Sequence, residues 1–207
     1  MRTLTEEKRQ AIIDAAAQLF QEAGYERASM SEVAKRAGGS KATLYNYFAS
    51  KEELFETVVR TYSTRFLTDA AAELDSPENE SCSLESKLTS FGEKMMHVLA
   101  GGNSALQIYR IVVGEAGHSD IGNLFQGSGP KESMARLASF MAEAMQKGEL
   151  TQADPVLRAM QFTSLVKAEA DAMLLQRELP DCSTDRINEM VRNGVQLFLY
   201  GASPRSS

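Results

Sequence analysis

The 207-residue sequence predicts an all-α fold. Strong helix formers such as Ala, Leu, Glu, Gln, Met, Lys and Arg are abundant, and apolar residues recur at helical spacing. The alternation of polar and β-branched apolar residues that is typical of a strand is absent from the sequence. Apolar residues make up 43% of the chain and charged residues 24%, which are ordinary values for a globular protein with a substantial core.

The first helix is predicted over residues 5–23. Ile12, Ala16 and Leu19 follow one another at intervals of three or four, so they share one apolar face of a helix. Gly24 comes directly after this pattern, and a glycine in that position is typical of a helix C-terminal cap.

Two short helices follow, and each is predicted from the residues that cap it. Residues 29–32, Ser-Met-Ser-Glu, form a capping box, in which the serine hydroxyl and the glutamate carboxylate satisfy backbone N–H groups. Gly38 and Gly39 end this helix, and Ser40 caps a second one over residues 41–48. Two short helices joined by a tight glycine turn are typical of a helix-turn-helix.

The remainder of the chain is also predicted to be helical. A second capping box at residues 50–53 begins a long helix that is expected to reach residue 74. Polar or glycine-rich breaks at residues 75–82, 101–103, 127–129 and 180–183 separate the later elements. These elements are predicted near residues 84–98, 105–114, 120–126, 130–147, 154–178 and 184–200.

Charge is distributed unevenly along the chain. The net charge is −6, but residues 1–51 hold eight Lys and Arg against six Asp and Glu. Within residues 27–51 five cationic side chains face one acidic residue, Glu32. A local basic patch is the electrostatic feature that matters for DNA binding, whereas the acidic remainder repels DNA and helps to orient the molecule.

The second short helix carries side chains suited to DNA bases. In a helix-turn-helix the second helix enters the major groove, and Leu44 and Phe48 are expected to be buried beneath it. Lys41 can donate to guanine, Asn46 can pair with adenine, and the Ala42 methyl can contact a thymine methyl. Side chains suited to phosphate oxygens are Ser29, Ser31, Thr43, Tyr47 and Lys51.

Residues 8–55 resemble the DNA-binding domain of the TetR family. The most specific match is residues 43–54, TLYNYFASKEEL, and it is supported by AAAQLF at 15–20, Gly-Tyr at 24–25, SEVA at 31–34 and AGGSK at 37–41. The resemblance implies an all-helical homodimer with three N-terminal helices for DNA and a C-terminal domain for a small-molecule effector. Such proteins usually repress transcription from a palindromic operator. By motif position, the family's DNA contacts fall on Ser29, Ser31, Ser40, Lys41, Ala42, Thr43, Tyr45, Asn46, Tyr47 and Lys51.

The turn of the motif departs from the family pattern at Gly39, where the family usually has an aliphatic residue. We expect this glycine to remove a small core contact and to loosen the turn. The predicted domains are 1–52 for DNA binding, 53–202 for effector binding and dimerisation, and a flexible tail at 203–207. By analogy with the family, the last two long helices form the dimer interface.

Residues 109–117, 122–125 and 129–130 resemble the C-terminal domain of the AefR-like and AcrR-like branch of the family. This resemblance implies a hydrophobic effector, such as an antimicrobial, a lipid-like compound or an aromatic molecule. Ordinary core packing is the alternative for the Met and aromatic side chains, and Glu115, Glu169 and Asp171 are further candidates for polar anchors. The candidate ligand contacts are Phe91, Met95, Leu99, Tyr109, Arg110, Phe125, Met141, Met145, Phe162 and Met173.

Other function classes find little support in the sequence. No phosphate-binding glycine loop, catalytic triad or carboxylate pair is evident, so an enzyme and a cofactor are not expected. Cys82 and Cys182 are predicted to be free thiols, and the Glu115 to His118 spacing lacks a third ligand, so no metal is expected. The sequence shows no apolar run of about 18 residues and no secretory signal, which predicts a cytoplasmic protein without membrane contact. An activator, and an effector-independent architectural or division-linked DNA-binding protein, remain as alternatives.

Overall fold

The computed structural model describes residues 5–74, 76, 81–99, 104–178 and 182–204. Within these ranges the chain forms helices and no strand, which confirms the all-α prediction. A π-helical segment, Arg60–Thr64, follows α4, and a 3-10 turn, His97–Leu99, follows α6. The α-helices are α1 Glu6–Ala23, α2 Met30–Arg36, α3 Lys41–Tyr45, α4 Lys51–Val59, α5 Arg65–Leu74, α6 Leu84–Met96, α7 Ser104–Glu115, α8 Ile121–Gly127, α9 Pro130–Gln146, α10 Pro155–Met173 and α11 Thr184–Ala202.

The chain divides into two compact units. The first comprises Met1–Thr64 and Ser104–Ser128, and the second comprises Arg65–Asn103 and Gly129–Ser207. Helices α4, α7 and α8 therefore share a unit with the three N-terminal helices. The predicted functional boundary between residues 52 and 53 is a different division and stays a prediction, as does the tail, of which residues 205–207 lie outside the described part.

The predicted capping residues make the expected hydrogen bonds. Ser29 Oγ accepts from the Glu32 N–H at 3.2 Å, and Ser50 Oγ accepts from the Glu53 N–H at 3.1 Å. The carboxylate of Glu53 in turn accepts from the N–H of Ala49 at 2.7 Å. Since these side chains satisfy N–H groups that have no partner inside the helix, the beginnings of α2 and α4 are encoded locally.

The predicted helix over residues 51–74 is interrupted by the π-helical segment. Thr57 and Thr61 donate their hydroxyls to backbone carbonyls four residues earlier, at 2.9 and 2.8 Å. Such bonds compete with the regular helical pattern and bend helices. At the end of the segment, the buried Thr64 hydroxyl donates to the carbonyl of Ser128 at 3.0 Å, a contact that a local pattern could not predict.

Two other helices are shorter than predicted. Helix α3 ends at Tyr45 rather than at residue 48, and turn hydrogen bonds to the Leu44 carbonyl continue the chain. Helix α10 ends at Met173 rather than at residue 178, and turns follow it. A few competing hydrogen bonds decide where a helix ends. The spacing of apolar residues therefore predicts that a helix exists better than it predicts its last residue.

The first unit has a core that joins all of its helices. The rings of Phe20, Tyr25 and Phe55 pack with centroids 4.9 to 5.8 Å apart. Ile108 and Val112 of α7 are buried in the same cluster as α1 and α4. Burial of this kind stabilises each side chain by about 1.5–3 kcal/mol, so α7 is held to the N-terminal helices by packing.

The second unit has a separate aromatic core. Phe162 of α10 lies between Phe91 of α6 and Phe198 of α11, with centroid distances of 6.0 and 5.3 Å. Gly194 lets α11 approach α10 closely, because a Cβ there would lie under 3.0 Å from backbone atoms of Val166. The two long helices therefore pack backbone to backbone in this unit.

Candidate DNA-binding surface

The predicted DNA contacts lie at the surface of the first unit. Most of the ten side chains are exposed, and the remaining three, Thr43, Tyr47 and Lys51, are half-buried. Leu44 and Phe48 are buried in the core, as predicted. The exposed members of the set are Ser29, Ser31, Ser40, Lys41, Ala42, Tyr45 and Asn46.

Helix α3 presents a polar and aromatic surface to solvent. Ser40 Oγ caps it by accepting from the Thr43 N–H at 3.1 Å. The Lys41 ammonium lies over the ring of Tyr45, 5.8 Å from its centroid. Tyr45 is one of the few large apolar side chains that remain exposed. The buried face of α3 fixes the helix, and its outer face remains available for base edges.

Tyr47 connects this surface to the beginning of α1. The backbone N–H of Thr5 donates to the Tyr47 hydroxyl oxygen at 3.0 Å. The hydroxyl keeps its own hydrogen, which can be donated to a phosphate oxygen. This contact, across 42 positions of sequence, was not predictable from spacing.

Lys51 has partners within the protein. Its ammonium donates to the backbone carbonyls of Tyr25 at 3.1 Å and Glu26 at 3.4 Å, and it lies 4.2 Å from the centre of the Tyr25 ring. The Tyr25 hydroxyl donates to Glu52 at 3.3 Å. Burial, followed by the nearby Glu52 carboxylate, raises the pKa of Tyr25 well above its usual value.

Lys8 supports the helix-turn-helix turn, which the sequence did not indicate. Its ammonium donates to the carbonyls of Ala37 and Gly38, at 3.2 Å for the latter. A Cβ at Gly39 would lie 3.7 Å from Lys8 Cε, so the lysine stem covers the space above this glycine. The Lys8 side chain thus brings an alkyl stem and a charged donor to the turn at Gly39, and the predicted loosening of the turn by this glycine stays a prediction.

The candidate ligand contacts are divided between the two units. The second unit contains six of them. Met173 is half-buried there, and the other five are buried: Phe91, Met95, Met141, Met145 and Phe162. Phe91 also lines a small, open groove between α5 and α6. In the first unit Tyr109, Arg110 and Phe125 are half-buried, and the Tyr109 and Phe125 rings lie 5.6 Å apart. The Leu99 side chain lies outside the described part of the chain. All ten stay predictions as ligand contacts.

Two of the proposed polar anchors have structural partners. Glu169 pairs with Arg186 in the second unit, and Glu115 accepts from backbone N–H groups in the first. Among the described residues, no group of His, Cys, Asp and Glu could hold a metal ion. The described helices also include none that is both long and apolar enough to cross a membrane.

The chain matches two family descriptions along its length. Residues 12–58 match "Bacterial regulatory proteins, tetR family", and residues 86–201 match "AefR-like transcriptional repressor, C-terminal domain". The chain belongs to the TetR family. It is therefore a DNA-binding transcriptional regulator of the helix-turn-helix class, and the predicted AefR-like C-terminal domain is confirmed.

Two solved regulators are similar to this chain over almost its full length. A solved flavonoid-responsive regulator, FrrA, is 33% identical, with a TM-score of 0.70, and the alignment covers 98% of this chain and 100% of that one. FadR from Bacillus subtilis, solved in complex with stearoyl-CoA, shares the fold at 20% identity, with a TM-score of 0.73 and coverage of 93% and 98%.

One curated relative matches mainly in the DNA-binding part. The A-factor receptor protein of Streptomyces griseus is 47% identical over 49 residues, which is 24% of this chain and 18% of that protein. The match therefore concerns the DNA-binding helices, and the functions of the remainder of that relative do not carry over to this chain.

Proposed function

We propose that this protein is a homodimeric repressor that binds a palindromic operator in the bacterial cytoplasm and is released by a small hydrophobic effector. The observation that carries the proposal is the outer face of α3, where Lys41, Tyr45 and Asn46 are exposed above the buried Leu44. That arrangement supplies donors and an aromatic ring for base edges on a helix that is fixed from beneath.

Phosphate contacts surround the base-contacting face. Ser29 and Ser40 cap α2 and α3, so their hydroxyls lie beside N–H groups that attract anions. Tyr47 and Lys51 supply a hydroxyl hydrogen and a cation nearby in the motif. These groups orient the protein on DNA, and Lys41 and Asn46 are the side chains for which we propose base recognition.

The dimer is proposed from unpartnered apolar side chains on the last two long helices. Large apolar side chains are exposed on both helices, at Val156, Leu157 and Met160 of α10 and at Leu197 and Tyr200 of α11. A second copy of the chain is the proposed occupant of these surfaces, because a palindromic operator requires two recognition helices related by a two-fold axis.

The effector proposed first is an aromatic compound of the flavonoid class. The FrrA relative, named as flavonoid-responsive, is similar over the full length of the chain, and the half-buried rings of Tyr109 and Phe125, 5.6 Å apart in the first unit, are the aromatic side chains proposed to contact such a compound. The effector would favour a conformation in which the two recognition helices no longer match the operator spacing. A shift from 1:99 to 99:1 requires about 5.5 kcal/mol of differential binding.

The proposal is tested by selecting DNA from random sequence and from genomic fragments with the full-length protein. We expect a palindrome with half-sites about 34–36 Å apart, located where it overlaps a promoter. The double variant Lys41→Ala with Tyr45→Ala should lose this selectivity. If it selects the same operator, α3 is not the recognition helix.

Titration of the bound operator with flavonoids, and separately with acyl-CoA compounds, tests the effector. Saturable release of the operator by a flavonoid supports the proposed effector class. Release by acyl-CoA compounds alone would show that the effector is lipid-like instead. A protein that no compound releases and that binds many weak genomic sites would be an effector-independent DNA-binding protein. A site upstream of a promoter that the protein stimulates would identify an activator.

A further inference from the structure

The turn between α1 and α2 is hydrogen-bonded to side chains from two different helices. The backbone N–H of Tyr25 donates to Glu115 Oε1 at 3.0 Å, and the N–H of Glu26 donates to Glu115 Oε2 at 3.3 Å. The carbonyls of the same two residues accept from the Lys51 ammonium. The peptide at Tyr25 and Glu26 is thus joined to α7 through its donors and to α4 through its acceptors.

The position of Gly24 is adapted to the Glu115 carboxylate. A Cβ at Gly24 would lie well under 3.0 Å from Glu115 Oε1, so a side chain there would displace the carboxylate. The φ angle of Gly24 is +80°, a value that L-residues with side chains rarely adopt. The glycine that the sequence predicts as a helix cap therefore also makes room for an acceptor 91 positions away.

The contact joins two segments with different family matches. Tyr25 and Glu26 lie in residues 12–58, the DNA-binding match, whereas Glu115 ends α7 inside residues 86–201, the C-terminal match. Both sides belong to the first compact unit. Because a carboxylate that receives two N–H donors is fixed in direction as well as distance, this contact orients the α1–α2 turn relative to α7.

We propose that Glu115 is a positioning residue for DNA recognition, which sets the orientation of the helix-turn-helix by holding Tyr25 and Glu26 to the end of α7. Glu115 does not touch DNA in this role. Its loss leaves the phosphate-contacting and base-contacting side chains in place but allows their helices a wider range of orientations relative to α7. The part of the test that uses operator spacing rests on the proposed dimer, and the part that uses the free protein does not.

The first experiment measures amide hydrogen exchange in the free full-length protein. Glu115→Gln keeps one acceptor oxygen and loses the other, and Glu115→Ala loses both. We expect faster exchange at the Tyr25 and Glu26 amides, with the larger increase in the alanine variant, and unchanged exchange at the buried amides of α4. Glu7→Gln, which removes the same charge from an exposed site in the first turn of α1, is the control. Unchanged exchange at both amides would overturn the contact.

The second experiment measures binding to the DNA duplex selected by the wild-type protein, and to duplexes whose half-sites are one base pair closer or farther apart. We expect Glu115→Ala to weaken binding at the native spacing by about tenfold, within the usual range of coupling between distant sites. The penalty for changed spacing should decrease, and the salt dependence should stay the same because the phosphate contacts remain. Faster exchange together with unchanged affinity and unchanged spacing preference would show that the contact is merely structural and would refute the proposal.

A double-mutant cycle distinguishes the contact from a general loss of folding. Gly24→Ala should weaken DNA binding in the wild-type background and have a much smaller effect in the Glu115→Ala background, because the carboxylate that it displaces is then absent. Gly148→Ala is the matched control, since that glycine has φ of +75° with open space around it and measures backbone strain alone. Additive effects of the two changes on DNA binding would contradict the proposal. If the protein selects no DNA, the proposed function is refuted. Amide exchange at Tyr25 and Glu26 then tests the contact with Glu115 independently.

Discussion

Truncation of one exposed leucine on α11 should weaken the proposed dimer. Leu197 is 59% exposed, and full burial of such a side chain contributes about 1.5–3 kcal/mol. Burying its exposed part therefore contributes roughly 1 kcal/mol, and a two-fold interface contains the residue twice. We expect Leu197→Ala to cost about 2 kcal/mol of dimerisation free energy, which raises the dissociation constant about 30-fold.

Sedimentation velocity over a concentration series measures this change. Leu175→Ala is the matched control, because Leu175 is 91% exposed but follows the end of α10 and lies outside both long helices. The control should dimerise like the wild-type protein, and Leu197→Glu should prevent dimerisation altogether, since a buried unpaired charge costs more than a lost contact. Equal dissociation constants for Leu197→Ala and Leu175→Ala would refute the assignment of α11 to the interface.

Two further predictions concern the helices of the first unit. Lys8→Met keeps the alkyl stem but removes the donor to the helix-turn-helix turn, so amide exchange at residues 37–40 should accelerate, and Lys8→Arg should restore much of the protection. Burial and the Asp14 carboxylate raise the pKa of Tyr62 to about 12 from 10.0, so its contribution to stability is present below pH 10 and is lost as pH rises towards 12. Tyr62→Phe should therefore flatten the alkaline decline of the unfolding free energy measured in urea, and an unchanged decline would refute the role of this hydroxyl.

Local features of the fold were predictable from the sequence. The hydroxyls of Ser29, Ser40 and Ser50 cap the helices that their positions predicted. Capping depends on residues three positions apart, and the apolar period depends on residues three or four apart, so both are written in short stretches of sequence. The exposed face of α3 follows from the same pattern, because Leu44 is the residue of this helix that is buried.

Contacts across long sequence separations were not predictable in the same way. Lys8 reaches carbonyls 29 and 30 positions away, and Glu115 reaches amides about 90 positions away. Their acceptors and donors are backbone atoms, which every residue possesses, so no residue type in the turn marks the partner. The one sequence signal was Gly24, where a helix cap and close approach of a carboxylate coincide.

The position of Lys51 connects DNA contact with the internal structure of the first unit. An ammonium group has three N–H donors, and two of them are directed to the carbonyls of Tyr25 and Glu26. The third can meet a phosphate oxygen without breaking the others, so one side chain can hold the α1–α2 turn and anchor DNA together. On this argument Lys51→Met should lower both the melting temperature of the free protein and the slope of log affinity against log salt, the latter by about one. A lower melting temperature with an unchanged slope would restrict Lys51 to its contacts within the protein, and Tyr47 would then be the principal phosphate contact at this end of the motif.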